Sequence, residues 1–261
     1  CGPDILTLSS NIGTSKMAMD VGADRQKEYL GRFGLLAAAG VELPEVGGPL
    51  YPKRWGDIST MTISYGHGIA VSPLQVAAGV SALVNGGVMH EPTLMKIENP
   101  QRPRGDQVIS AQTSTAMRAL MRKVVRDGTG EAANIQGYLV GGKTGTADKQ
   151  VAGGYDQKSL LSSFVGVFPM TQPRFVVLVV VDEPKGNKET FGYATGGWVA
   201  APAVGRVIAR MGPLFGIAPD MSGAEAELVA GHPMYLPETN APQRSAGLKT
   251  DASGAVRHAA Y

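Results

Sequence analysis

Ser9, Asn11, Lys143, Thr144 and Thr146 are side chains whose types and spacing point to chemistry. Lys143 lies in Gly141-Gly142-Lys143-Thr144-Gly145-Thr146-Ala147, which reads as the end of a strand whose edge meets a reacting acyl group. Gly141 and Gly142 carry no side chain to hold another backbone away, and Gly145 lets a ligand lie against the main chain. Lys143 supplies a fixed positive charge, and Thr144 and Thr146 supply two hydroxyls. Together they suit the gripping of a carboxylate and the polarising of a nearby carbonyl. Alone, Lys-Thr-Gly carries little weight, because a Lys beside a glycine turn is usually solvated surface. Its weight depends on Ser9 and Asn11, two positions apart in Leu8-Ser9-Ser10-Asn11. A Ser or Asn at that place is a common helix N-cap. The sharper expectation is that both project into a cleft facing the Lys143 strand.

The elements that must position these groups follow from composition and pattern. The chain has 261 residues, 43% hydrophobic and 18% charged, enough for a real core and unlike a disordered sequence. A net charge of +2 gives no electrostatic reason to expect nucleic acid. The longest purely apolar run, residues 175–181, is far shorter than the roughly 20 residues a bilayer span needs. One cysteine, Cys1, leaves no internal disulfide framework, and His67, His90, His232 and His258 lack ligand spacing. No metal and no cofactor are expected. Cys1-Gly2-Pro3-Asp4 shows neither an initiating Met nor a targeting pattern, and reads as internal to a longer protein.

Apolar residues recur at helical spacing through 12–36 (Met17, Val21, Tyr29, Leu30, Phe33). Residues 37–62 break into a Gly/Pro-rich loop. Ser72-Pro73 starts a helix reaching about Asn85 that is apolar on nearly every face, which marks a core position. Residues 88–97 read as extended and 99–108 as a Pro/Arg-rich loop. A helix over 110–126 is stopped by Asp127-Gly128-Thr129-Gly130. That glycine pair around a Thr has no strand leading in and no Gly-Lys-Ser/Thr after it, so it is read as a turn and not a phosphate cradle. The pattern then becomes strand-like over 138–147, 159–168 and 174–182, with a hairpin at 169–173. A closing helix spans 198–211, in which Pro202 is tolerable only near the first turn. Three strands without intervening helices make an antiparallel sheet, and the order gives an α+β fold, a helical lobe packed on the sheet. The expected division is a domain over 1–217 and a tail over 218–261, disordered or laid on the surface.

Ser9-Ser10-Asn11 followed by Lys143-Thr144-Gly145 supplies two of three motifs of penicillin-binding proteins and serine β-lactamases, the third being Ser-x-x-Lys. Tyr65-Gly66-His67-Gly68 with Ser72-Pro73-Leu74-Gln75, Gly128-Thr129-Gly130, and Gly196-Gly197 with Ala201-Pro202 come in the same family's order. Over about residues 4–217 the chain resembles the transpeptidase domain of class B penicillin-binding proteins. Trp55-Gly56-Asp57-Ile58 is most similar to the division-specific, septal member. The resemblance implies a peptidoglycan D,D-transpeptidase in which a serine attacks the penultimate D-alanyl carbonyl of a stem peptide. An amine from a neighbouring strand then takes the acyl group. Ser9 would relay a proton toward the leaving D-alanine, Asn11 would bind the substrate amide, and Lys143 would keep the cleft positive. Thr144 and Thr146 hydroxyls would hold the carboxylate beside Gly145, and the Thr146 N–H would form half of the oxyanion hole. Also implied are stem peptides ending in D-Ala-D-Ala as substrate, β-lactams as covalent inhibitors, and a glycosyltransferase and other division proteins as partners. The implied location is the periplasmic face of the bacterial inner membrane, held by an upstream membrane helix.

The departure is the absence of Ser-x-x-Lys. No Lys in the sequence has a Ser three positions before it; Thr93-x-x-Lys96 and Thr146-x-x-Lys149 come nearest. The nucleophile is therefore expected upstream of this sequence. A serine β-lactamase would need a base on a water, for which Glu45 is the residue to weigh. The same residues are also compatible with a D,D-carboxypeptidase, a non-catalytic penicillin-sensing or scaffold domain, or an ordinary α+β binding module. By itself the chain is expected to leave apolar surface uncovered, to fold loosely or dissolve poorly, and to form no covalent adduct with a fluorescent penicillin. Such an adduct, or a sharp cooperative melt, contradicts the expectation.

Overall fold

The computed structural model describes residues 2–97, 105–151, 154–220 and 228, the side chains of 150–158 excepted. The fold is α+β, as expected. Its helical part runs α1 (Gly2–Thr7), α2 (Asn11–Val21), α3 (Ala23–Arg32), α4 (Asp57–Ile63), α5 (Pro73–Val84) and α6 (Ala111–Asp127). A small antiparallel pair, β1 (Val88–Met89) and β2 (Asp106–Gln107), lies between α5 and α6. The main sheet, β3 (Gly141–Val151), β4 (Gly154–Phe168) and β5 (Phe175–Asp182), is antiparallel in the order β3-β4-β5. Helix α7 (Gly196–Leu214) closes the fold.

Side chains alternate across β4 and so serve two cores. Phe164, Gly166 and Phe168 meet Ala200, Val204 and Ile208 of α7 on one face. Val167 meets Val84 of α5, Met121 of α6 and Met170 on the other. Gly166 is required because a Cβ there would lie 2.5 Å from a Val204 methyl. Arg122, buried inside α6, donates to Asn134 Oδ1 (3.0 Å) and the Val140 carbonyl (2.8 Å), tying the helix to the chain entering β3. Among the described residues, no helix is long and apolar enough to cross a membrane.

Several boundaries differ from the sequence reading. The run over 12–36 is two helices, not one, because Gly22 adopts φ 85°, ψ 156°, a conformation barred to other residues. Helix α4 forms inside the stretch read as loop; its β-branched sequence DISTMTI lacks a clean apolar period, but Asp57 in the first turn suits the helix dipole. Helix α7 begins two residues early, so Pro202 is its seventh residue and leaves the Trp198 carbonyl without a helical N–H. Burial of Ala200, Ala201, Val204 and Ile208 on the sheet outweighs that loss. Strand β3 starts at Gly141 and not at Tyr138, since residues 135–138 turn tightly with Gly137 at φ 82°. Part of the 99–108 loop and almost all of the tail lie outside the described residues. Residues 217–220 run beside the 137 turn, where Asp220 N–H donates to the Gly137 carbonyl at 2.7 Å.

Phe164 is fully buried, and its ring approaches Gly130 and Gly142 closely enough that a Cβ on either would clash. Phe164→Ala should cost roughly 3–5 kcal/mol of unfolding free energy, read as a lower urea midpoint. A loss below about 1 kcal/mol would show that the sheet core relaxes around the deletion.

Candidate active site

Ser9 occupies the corner between α1 and α2. Leu8 N–H donates to the Asp4 carbonyl (2.9 Å) and Ser10 N–H to that of Ile5 (2.9 Å), which ends α1. Ser10 caps α2, its Oγ accepting from Gly13 N–H at 3.2 Å. The capping role thus falls on Ser10 and leaves the Ser9 hydroxyl free. Ser9 itself has φ 54°, a left-handed conformation that costs a non-glycine residue on the order of 1 kcal/mol. Asn11 is the first residue of α2; its side chain is exposed and makes no hydrogen bond among the described residues.

The corner is fastened to the turn after α6. Thr129 N–H donates to the Thr7 carbonyl (3.4 Å), and Gly128 has no room for a Cβ, which would lie 2.5 Å from that same oxygen. Lys143 then reaches across 134 positions of sequence to donate to Ser9 Oγ at 2.8 Å. Its ammonium also donates to the Thr144 carbonyl (3.0 Å) and to Thr144 Oγ1 (3.3 Å). The ammonium is sheltered, and burial pushes its pKa from the ordinary 10.5 down to about 8.

As the outer strand, β3 presents one unpaired edge. Thr144 and Thr146 project to one face and Lys143 to the other. Thr144 Oγ1 lies 2.8 Å from Thr129 Oγ1, and its methyl lies against the Gly197 position at the start of α7. Thr146 Oγ1 accepts from Gly196 N–H at 3.0 Å, doing for α7 what its own Thr195 side chain does not. Thr146, as an acceptor from Gly196, keeps its hydroxyl hydrogen to give, and both threonines lie beside the positive end of a 19-residue helix. Gly142 allows close approach as anticipated, since a Cβ would lie 2.4 Å from the Val165 carbonyl. Gly145 also faces its neighbour on β4. A Cβ there would lie 2.5 Å from Ser163 Oγ, so any larger residue would have to turn that hydroxyl aside.

The structure therefore joins Ser9, Lys143 and Thr144 directly, sets Thr146 on the same strand, and places Asn11 two residues from Ser9 with no side-chain hydrogen bond to the others. Sequence reasoning missed Thr129 and Gly196 as members of the cluster. Both stand in noted motifs, Gly128-Thr129-Gly130 and Gly196-Gly197, but only their contacts with β3 give them a part. A groove of about 650 Å³ lined by Met17, Val21, Tyr29, Leu30, Phe33 and Ile63 follows α2 and α3. Glu45 lines a separate hollow with Val41, Leu43 and Val71, away from Ser9 and Lys143. Among the described residues, no three His, Cys, Asp or Glu side chains could hold a metal.

A hydroxyl held by a lysine of lowered pKa beside a threonine-bearing strand edge has the groups that proton relay and carboxylate binding call for. The family model that matches residues 3–209 is the penicillin binding protein transpeptidase domain. The chain belongs to that family. It is 43% identical over 223 residues to a probable peptidoglycan D,D-transpeptidase FtsI of Caulobacter vibrioides, covering 82% of this chain and 38% of the relative. It is 32% identical over 219 residues to the peptidoglycan D,D-transpeptidase FtsI of Escherichia coli, covering 83% and 36%. Among solved structures, the apo transpeptidase domain of Burkholderia pseudomallei penicillin-binding protein 3 superposes with a TM-score of 0.76 at 37% identity, covering 84% of this chain and 66% of that one. Penicillin-binding protein 3 of Mycobacterium tuberculosis, complexed with ampicillin, gives 0.75 at 28% identity, covering 85% and 52%. The chain thus spans well under half the length of these two curated relatives.

The depressed lysine has a measurable sign. Between about pH 8 and 10.5 the folded chain holds fewer protons at Lys143 than the unfolded one, so the cost of burying the charge is full below 8 and fades as pH rises. Carbon-13 NMR of the lysine side chains should find Lys143 titrating near pH 8. Titration near its ordinary 10.5 would show a fully solvated ammonium and contradict the site geometry.

Proposed function

We propose that this chain is part of a peptidoglycan D,D-transpeptidase of septal cell-wall synthesis, working through a serine acyl-enzyme whose nucleophile lies upstream of residue 1. The observation that carries the reading is the 2.8 Å bond from Lys143 to Ser9, set beside the Thr144 and Thr146 hydroxyls. The similarity to FtsI relatives supports the septal assignment.

In the reaction, the terminal D-alanine carboxylate of a stem peptide lies against Thr144 and Thr146, near Lys143 and the start of α7. The upstream serine oxygen attacks the penultimate D-alanyl carbonyl, and the Thr146 backbone N–H helps to hold the resulting oxyanion. The tetrahedral intermediate collapses with cleavage of the C–N bond. The proton lost by the nucleophile passes to the departing D-alanine nitrogen through Ser9, whose hydroxyl both accepts and donates. The ester formed is then opened by an amine of a second stem peptide, and the proton path runs in reverse. Lys143 orients Ser9 for both steps, and Asn11, whose amide has no hydrogen bond among the described residues, binds the substrate backbone. Leu8 and Ile12 flank Ser9 and are each 68% exposed, which suits cover by the segment bearing the nucleophile. The protein would work at the periplasmic face of the inner membrane, with a glycosyltransferase and other division proteins as partners.

In the complete protein, penicillin should add covalently to the upstream serine, detected as a mass increase on the intact chain. Ser9→Ala should slow that acylation by roughly 10²–10⁴-fold with the melting temperature little changed. Acylation at the wild-type rate in Ser9→Ala would remove Ser9 from the proton path.

A further inference from the structure

Thr129 touches the Thr144 hydroxyl yet has no step in the reaction above. Its backbone is clamped by three elements. Its N–H donates to the Thr7 carbonyl at the end of α1, and Gly130 beside it packs on the Phe164 ring of β4. On the α7 side, a Cβ on Gly197 would lie 2.6 Å from the Thr129 carbonyl. The side chain of this fixed residue is exposed and places Oγ1 2.8 Å from Thr144 Oγ1.

The number of protons available decides what that contact does. A threonine hydroxyl has one hydrogen to donate and two lone pairs to accept with. One lone pair of Thr144 Oγ1 faces the Lys143 ammonium at 3.3 Å. If the Thr144 hydrogen points at Thr129, it is lost to any anion in the cleft. If Thr129 donates instead, both lone pairs of Thr144 are occupied and its hydrogen is turned outward. We infer that Thr129 is a positioning residue: with a carboxylate in the cleft its hydroxyl donates to Thr144, aiming the Thr144 O–H at the anion. The inference rests on the reading that Thr144 binds the substrate carboxylate. Thr129 acts through Thr144 and does not itself touch substrate.

The test uses the complete protein and compares acylation by benzylpenicillin with acylation by its methyl ester, which lacks the anion. Thr129→Val removes the hydroxyl while keeping the shape, and Thr129→Ala serves if the valine variant does not fold. The loss of one hydrogen bond should lower the penicillin rate roughly three- to tenfold and leave the ester rate within about twofold. Thr129→Ser should restore the penicillin rate. In a Thr144→Val background, Thr129→Val should have no further effect. Equal losses with penicillin and ester would assign Thr129 a purely structural role and overturn the inference. So would an unchanged penicillin rate, or a loss that persists without the Thr144 hydroxyl, which would place Thr129 on the ligand. A wild-type protein that takes up no penicillin refutes the transpeptidase reading itself, which separates the two failures.

Discussion

The contact between the Lys143 ammonium and the Ser9 hydroxyl is the constraint on which this site turns, because it joins two elements 134 positions apart in the sequence. Ser9 stands in a left-handed conformation at an exposed corner, where local energetics favour almost any other geometry. Lys143 gives up part of its hydration, as its lowered pKa records. Three oxygens, from Ser9 and Thr144, replace the lost water. A charge so held is a fixed positive centre in a sheltered place, where its field on a nearby anion is stronger than that of a solvated lysine.

Bringing these groups together is the work of backbone contacts more than of side-chain packing. Gly128 meets Thr7, Gly142 meets the Val165 carbonyl, Gly196 meets the carbonyls of Gly145 and Ser163, and Gly197 meets the Thr129 carbonyl. At each contact a Cβ would lie 2.6 Å or less from a backbone oxygen. The end of α1, the turn after α6, the edge of β3 and the start of α7 therefore converge at distances that only glycine permits. Phe164 anchors this convergence from the core below, with its ring against Gly130 and Gly142. A two-sided sheet core and a polar, open ledge above it are thus one construction.

Much of this was legible in the chain. Strand β5 and the second half of β4 announce themselves through apolar runs bounded by turn residues, and α5 and α6 through Ser72-Pro73 and Ser110. Ser9 and Lys143 were legible as types, and their union followed from a resemblance, since nothing local relates positions 134 apart. The rest needed information that sequence does not hold locally. The break at Gly22 was hidden because an isolated glycine is tolerated within a helical period. Helix α4 was hidden because its contacts with α2, and not its own periodicity, sustain it. The pairing of Gly145 opposite Ser163 could not be read because strand register is not a local property. Thr129 read as a turn residue because a turn is what it is; only the approach of β3 makes its hydroxyl part of the site.

The most direct measurement is a crystal structure of the complete protein that carries this sequence, acylated by a penicillin. The expected result puts Lys143 Nζ within hydrogen-bond distance of Ser9 Oγ and both beside the acyl-serine, with the penicillin carboxylate on Thr144 and Thr146. A structure in which Ser9 and Lys143 face separate solvent regions, or in which the carboxylate is bound away from β3, contradicts the account.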